Sequence, residues 1–309
     1  MNSKKVNWFF LTTILLHILI VVLMVVFHYV FTLNMILNFI VSSALIVVPA
    51  FAFVIVSGED WKEATGFHRI RWSTVGMIIL FTFLTVPLTT LINSFSMLFV
   101  ENAVMEMSGE ILRIPFPVAF FFMAVNAPLC EEIVYRGIVY RGYRRSGTLL
   151  QAAVFSAVLF AVGHMNFNQA AYAFVIGIML VLLVEATGSL WASVIYHVIF
   201  NGVSVCSMYL QKESFLDEAQ MAALEGTLTQ EAMLYSIAAM LVPAAVGTAI
   251  AGCVLVRIAK NERRTQRLQE MWTTRHDKKE RIITAPLVAA FVLCIAYMVA
   301  DVILYKMIA

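Results

Sequence analysis

Residues 130–137 read CEEIVYRG: Cys130, Glu131, Glu132, Ile133, Val134, Tyr135, Arg136 and Gly137. The stretch before them, PFPVAFFFMAVNAPL (115–129), is almost wholly apolar, and the stretch after them ends in YRGYRRSG (140–147). Two adjacent carboxylates and a guanidinium thus stand inside a hydrophobic segment. In water they would be one polar helix face. In lipid each charge costs several kcal/mol, so it turns to the bundle interior and marks a site.

The rest of the chain selects lipid. Of its 309 residues 61% are hydrophobic and only 13% charged, with a mean hydropathy of +0.88. A soluble domain carries about 25% charged residues. Runs long enough to cross a bilayer recur at 8–31, 34–57, 73–97, 115–143, 148–164, 169–185, 189–210, 232–256 and 284–308. The pattern predicts an all-α polytopic transmembrane helix bundle of about nine spans, the fifth and sixth being short. The first run is too long for a signal-peptide core and lacks a small-x-small cleavage site, so it reads as a retained anchor.

Charge in the connections orients these spans. Lys4 and Lys5 precede the first; Lys62, Arg69 and Arg71 follow the second; Arg141, Arg144 and Arg145 close the fourth. The connection 257–281 is the most basic of all. Alternating spans put these on one side and put Glu101, Glu106, Glu110, Glu213, Asp217, Glu218, Glu225 and Glu231 on the other. Positive residues stay inside, which places the N-terminus in the cytoplasm and, after nine spans, the C-terminus outside. The short loops suit a bacterial plasma membrane. Cys130, Cys206, Cys253 and Cys294 show no CxxC spacing and read as small core residues.

Few polar groups lie deep: Glu131, Glu132, Arg136, His164, Glu185, His197, Asn201 and Asp301. His17 and His28, on the first span, read as ordinary neutral histidines. At 1.5 Å per residue, Glu131 lies roughly 18 Å from the basic end of its span, His164 about 24 Å, His197 about 12 Å and Asn201 about 18 Å. Three separate helices therefore bring Glu, His, His and Asn to a similar depth. Glu131 and Glu132 point about 100° apart, so one faces a cavity and the other a neighbouring helix. Glu132 and Arg136 are spaced i, i+4 for an ion pair, and His197 and Asn201 share a face. Pro128 is expected to break the helical ladder beside Glu131. Glu185, next to a Thr-Gly-Ser turn, reads as structural. Asp301 has only Lys306 near it in sequence.

Peptide hydrolysis needs a base for water, donors for an oxyanion and an acid for the leaving amine. A buried carboxylate, two imidazoles and a carboxamide supply that set. The residues here also resemble the motifs of the CAAX-protease and bacteriocin-processing (CPBP, or Abi) family, relatives of the type II CAAX prenyl endopeptidase. The family's EExxxR, FxxxH and HxxxN read Glu131-Glu132-Ile133-Val134-Tyr135-Arg136, Phe160-Ala161-Val162-Gly163-His164 and His197-Val198-Ile199-Phe200-Asn201. All three occur in order on separate spans, within about 115–205.

The resemblance implies an intramembrane glutamic endopeptidase. Glu131 and His164 would activate water, and His197 and Asn201 would hold the oxyanion. Glu132, Arg136 and Phe160 would support the site. It implies no metal; zinc is the weaker alternative, with no HExxH present, and neither GxGD nor GxSG occurs. The expected partners are the lipid bilayer and a membrane-embedded or lipidated peptide, prenylated CAAX-type termini included, and no nucleic acid. The organisation this predicts is an N-terminal transmembrane region (1–114, three spans), a catalytic core of four helices (115–210) and a C-terminal region (211–309, two spans joined by 257–281). The site is expected to be reached from the cytoplasmic side or laterally from lipid. Two other readings stand beside it. One is a non-catalytic scaffold or immunity protein on the same fold. The other is a proton-coupled transporter, for which no inverted repeat is visible.

Overall fold

A computed structural model describes residues 1–26, 34–100, 102, 107–212, 230–275 and 281–308. Among them the chain is a bundle of helices: α1 (Ser3–Val26), α2 (Met35–Ser57), α3 (Trp61–Thr65), α4 (Trp72–Ser96), α5 (Ser108–Ile111), α6 (Phe116–Ser146), α7 (Leu149–Gly163), α8 (Phe167–Thr187), α9 (Leu190–Leu210), α10 (Gln230–Asn261), α11 (Thr265–Thr273) and α12 (Ala285–Ile308). Eight of these are long and apolar enough to cross a membrane. The protein is an integral, multi-pass membrane protein.

The fifth expected crossing is α7, with 15 residues. That is about 22 Å of helix, short of the ~20 residues a bilayer asks for. Both of its ends are fixed locally. Thr148 Oγ1 accepts from the Gln151 amide at 3.2 Å and Gln151 Oε1 accepts from the Thr148 amide at 3.0 Å, a reciprocal capping box. At the other end Met165 takes a left-handed backbone (φ 52°). Asn166 then opens α8 by accepting from the Gln169 amide. The chain therefore turns early, and His164 is left at a helix terminus under cover of protein, where irregular backbone is tolerated.

The basic connections lie at one end. There the Met1 amino group meets Glu59, and Arg145 reaches the same carboxylate at 2.8 Å. Ser3 N donates to Ser146 Oγ at 2.9 Å, Asn7 Nδ2 to the Ile282 carbonyl at 2.8 Å, and Arg264 Nε to the Glu185 carbonyl at 2.9 Å. All five tryptophans, Trp8, Trp61, Trp72, Trp191 and Trp272, belong to this end and are 37–89% exposed. Amphipathic indoles collect where lipid headgroups begin. His28 and most residues of the acidic connections (Glu101, Glu106, Glu213, Asp217, Glu218, Glu225) fall outside the described residues.

Close crossings hold the bundle together. Leu84 O of α4 lies where a side chain on Gly247 of α10 would begin. A Cβ on Gly177 of α8 would sit 2.9 Å from Ala157 of α7. Small residues let membrane helices approach in this way, because lipid offers no hydrophobic drive for their association. Val48, Ile55 and Val56 of α2, Val242 of α10 and Val292 of α12 point outward, as lipid-facing residues do. All four cysteines are free.

Helix α6 continues past Pro128, but its α-helical ladder is interrupted near the proline, as expected. Its turns widen: Phe121–Asn126 and Ile133–Tyr140 are π-helical on either side of an α-helical Ala127–Glu132. Proline lacks the N–H that would close an α turn, and a wider turn absorbs the loss.

Candidate active site

The α-helical stretch of α6 between its two π segments presents Glu131 and Glu132 in different directions. Glu132 is fully buried, and its Oε1 accepts from Arg136 Nη1 at 2.9 Å and stands 2.9 Å from His197 Nδ1. Glu131 is 18% exposed, and its Oε2 lies 3.7 Å from His197 Nε2. One imidazole of α9 therefore bridges the two carboxylates of α6.

Arg136 is buried beside them. Its Nη2 donates to the Gly177 carbonyl at 3.4 Å, and its guanidinium lies 4.1 Å from the centre of the Phe160 ring. A cation over an aromatic face is held by the ring quadrupole. Phe160 meets more than the expected His164. Its centroid is 4.8 Å from the ring of His164, 5.8 Å from that of His197 and 5.1 Å from that of Tyr135, each pair edge to face. One phenylalanine thus sets the spacing of both imidazoles and the arginine.

The tautomer of His164 follows from its partner. Nδ1 lies 2.7 Å from the Phe160 carbonyl. A carbonyl only accepts, so Nδ1 carries a proton and Nε2 of the neutral ring is left as an acceptor. Asn201 donates one amide hydrogen to the Met123 carbonyl at 3.0 Å, inside the first π segment, and keeps the other.

Glu131, His164, His197 and Asn201 line a common cavity of about 510 Å³. Beyond them its wall holds Gln169 and Tyr172 of α8 and Thr89 and Asn93 of α4. Sequence reasoning passed over these. The signal was in the α8 opening, NFNQAAY (166–172), whose polar residues are dense for a membrane span. The α4 residues carry no comparable mark, because only tertiary packing brings them here.

The cavity does not lead toward the basic end. There Ile138, Tyr140 and Tyr143 of α6 are fully buried and Glu185 is tied to Tyr140 and Arg144, which closes the cavity on that side. The lining instead runs past Asn93 and Ser108 to Gln211 at the opposite end, and sideways to Thr90, Val203 and Ser204 between α4 and α9. Those last three are exposed on the surface that faces lipid. Glu185 sits at the end of α8 as a buried anchor, and Asp301 is exposed on α12, with the Lys306 side chain outside the described residues.

Among the described residues no three His, Cys, Asp or Glu side chains are grouped to hold a metal ion.

Residues 113–203 match the profile of the type II CAAX prenyl endopeptidase Rce1-like family. A membrane-embedded CAAX protease, MroQ of Staphylococcus aureus, is 26% identical over 113 residues, covering 34% of this chain and 45% of that protein. The chain thus spans less than half the length of the curated relative it matches. No solved structure gives a significant match. With its three motifs converging on one cavity, the segment 113–203 is similar to the Rce1-like, CAAX-protease (CPBP) family of membrane proteins.

Proposed function

We propose that this chain is an intramembrane endopeptidase. It hydrolyses a peptide bond of a membrane-embedded or lipid-anchored peptide, with Glu131, His164, His197 and Asn201 as catalytic residues and no metal. The observation that carries the reading is that these four side chains, from three helices, line one cavity.

Water held between Glu131 and the Nε2 of His164 loses a proton to this pair, and the hydroxide attacks the peptide carbonyl carbon. General bases of this kind accelerate such steps by roughly 10²–10⁴-fold. The charge that develops on the carbonyl oxygen meets the free amide hydrogen of Asn201 and the Nε2–H of His197. For His197 to donate there while Nδ1 donates to Glu132, it must carry both protons. The proton taken from water then passes to the amine, the C–N bond breaks, and a carboxylate and an amine leave. Glu132 and Arg136 hold the imidazoles in place from behind the cavity wall, and Phe160, part of that wall, packs against both rings.

The peptide enters between α4 and α9 from the bilayer. The tryptophan-rich, arginine-rich end faces the cytoplasm of a bacterial plasma membrane. Membranes from cells making wild type or Glu131→Gln at matched levels test the reading. Peptide termini present only with wild type establish proteolysis and name the substrate. No difference across growth conditions, with the variant still supporting the protein's phenotype, would move the protein to the scaffold reading.

A further inference from the structure

A second cavity, of about 310 Å³, lies at the tryptophan-lined end and is walled by Lys62, Glu63, His68, Arg141 and Arg145. It is formed where the α2–α4 connection meets the last turns of α6. Arg141 is fixed across its floor by donating from Nη1 to the Glu63 carbonyl at 3.0 Å. The guanidinium lies over Gly66, where any side chain would collide with it, and the φ of +64° there suits glycine alone. Arg141 Nε is buried with no hydrogen-bond partner. Arg145 is matched by Glu59. Neither Lys62 nor Arg141 makes an ion pair among the described residues. Against them the wall sets one carboxylate, Glu63.

The depth of this cavity is marked independently. Trp61 and Trp72 flank the connection, 37% and 89% exposed. Ile55 and Val56, on the last turn of α2 just below it, are 64% and 87% exposed. Cations at headgroup level beside an apolar strip reproduce the two-part chemistry of a phospholipid. A guanidinium and an ammonium bind phosphate oxygens well, and basic pockets between membrane helices take anionic headgroups.

We propose that this cavity binds a phosphate group, carried by the headgroup of an anionic phospholipid in the adjoining leaflet. The occupant would fasten the α3 segment to the helix that carries Glu131. Gly137, next to Arg136 and one turn from Arg141, already backs onto that segment: a Cβ there would stand 3.2 Å from the Ala64 carbonyl.

The test uses the full chain in detergent, with lipid retention read by native mass spectrometry. Phosphatidylglycerol, phosphatidylcholine of the same chain length and inorganic phosphate are the probes. Phosphatidylglycerol should bind wild type in preference to phosphatidylcholine. Lys62→Gln should weaken it about five-fold, the value of one interfacial cation, and Glu63→Gln should strengthen it about as much. Both side chains are exposed, so folding is preserved, whereas Arg141→Gln also releases the Glu63 carbonyl. Affinity unchanged in both variants would overturn the site. Inorganic phosphate giving the same variant pattern at matched concentration would overturn the lipid source in favour of a free phosphate.

Discussion

Glu131 and Glu132 are chemically identical neighbours with opposite surroundings, and their substitutions should part accordingly. Glu131→Gln removes the base from a partly open position. Cleavage should fall by roughly 10²–10⁴-fold with the melting temperature in detergent unchanged. Glu132→Gln leaves Arg136 and His197 facing no carboxylate at 2.9 Å. Breaking a buried pair from one side costs about 3–5 kcal/mol, so that variant should melt early as well as lose activity. Asn201→Ala should lower kcat by about 10²–10³ with KM little changed, as loss of one oxyanion donor does. Activity should survive a zinc chelator; complete loss that zinc restores would reassign His164 and Glu131 as ligands.

At the scale of the helix, α7 is the element on which the site turns. Its capping box starts it, and the turn at Met165 stops it with His164 at the tip. Tyr135 of α6 fills the space against Gly163, so that any Cβ on that glycine would collide with the tyrosine hydroxyl. Gly163→Ala should push Tyr135 into Phe160 and disturb both imidazoles, lowering activity. Adding Tyr135→Phe removes the colliding oxygen and should restore much of it, a coupling that a double-mutant cycle measures. Much of this was legible in advance. Helical rise alone set Glu131, His164, His197 and Asn201 at a similar depth, and the i, i+4 spacing foretold the Glu132–Arg136 pair. The π-helical turns of α6 were not legible, because Pro128 announces a lost hydrogen bond and not how the backbone absorbs it. Nor was the role of α4. Thr89 and Asn93 look like any polar residues of a span until α9 packs beside them.

For the molecule as a whole, charge asymmetry foretold which connections meet at one end, and the structure adds what ties them. Glu59 joins the chain's first residue to the end of α6. The Met1 amino group, then the Arg145 guanidinium, hold its carboxyl below the usual glutamate range. A depressed carboxyl stabilises the fold above its unfolded pKa, and that contribution is lost as pH falls through the lower, folded value. Wild type should therefore exceed Glu59→Gln in thermal stability by a constant margin between about pH 5 and neutrality, and the margin should close in more acidic detergent solutions, below the ordinary glutamate value of about 4.3. The direction of the cavity was the large-scale feature that sequence left open between two routes. It depends on which side of the site the tyrosines of α6 seal, and no single segment records that.

The Glu132–Arg136 pair has a consequence for biosynthesis. Helix α6 leaves the ribosome before α9, so when it enters the membrane His197 does not yet exist. A lone charge at mid-span opposes insertion by about 2.5–3.5 kcal/mol. Because both partners lie on one helix, a turn apart, α6 brings the counter-charge of Arg136 into the bilayer with it and leaves only Glu131 to await a later helix. Arg136→Ala should therefore fail at translocon insertion and reach the quality-control proteases, while His197→Ala, lost only at assembly, should still be inserted with normal topology.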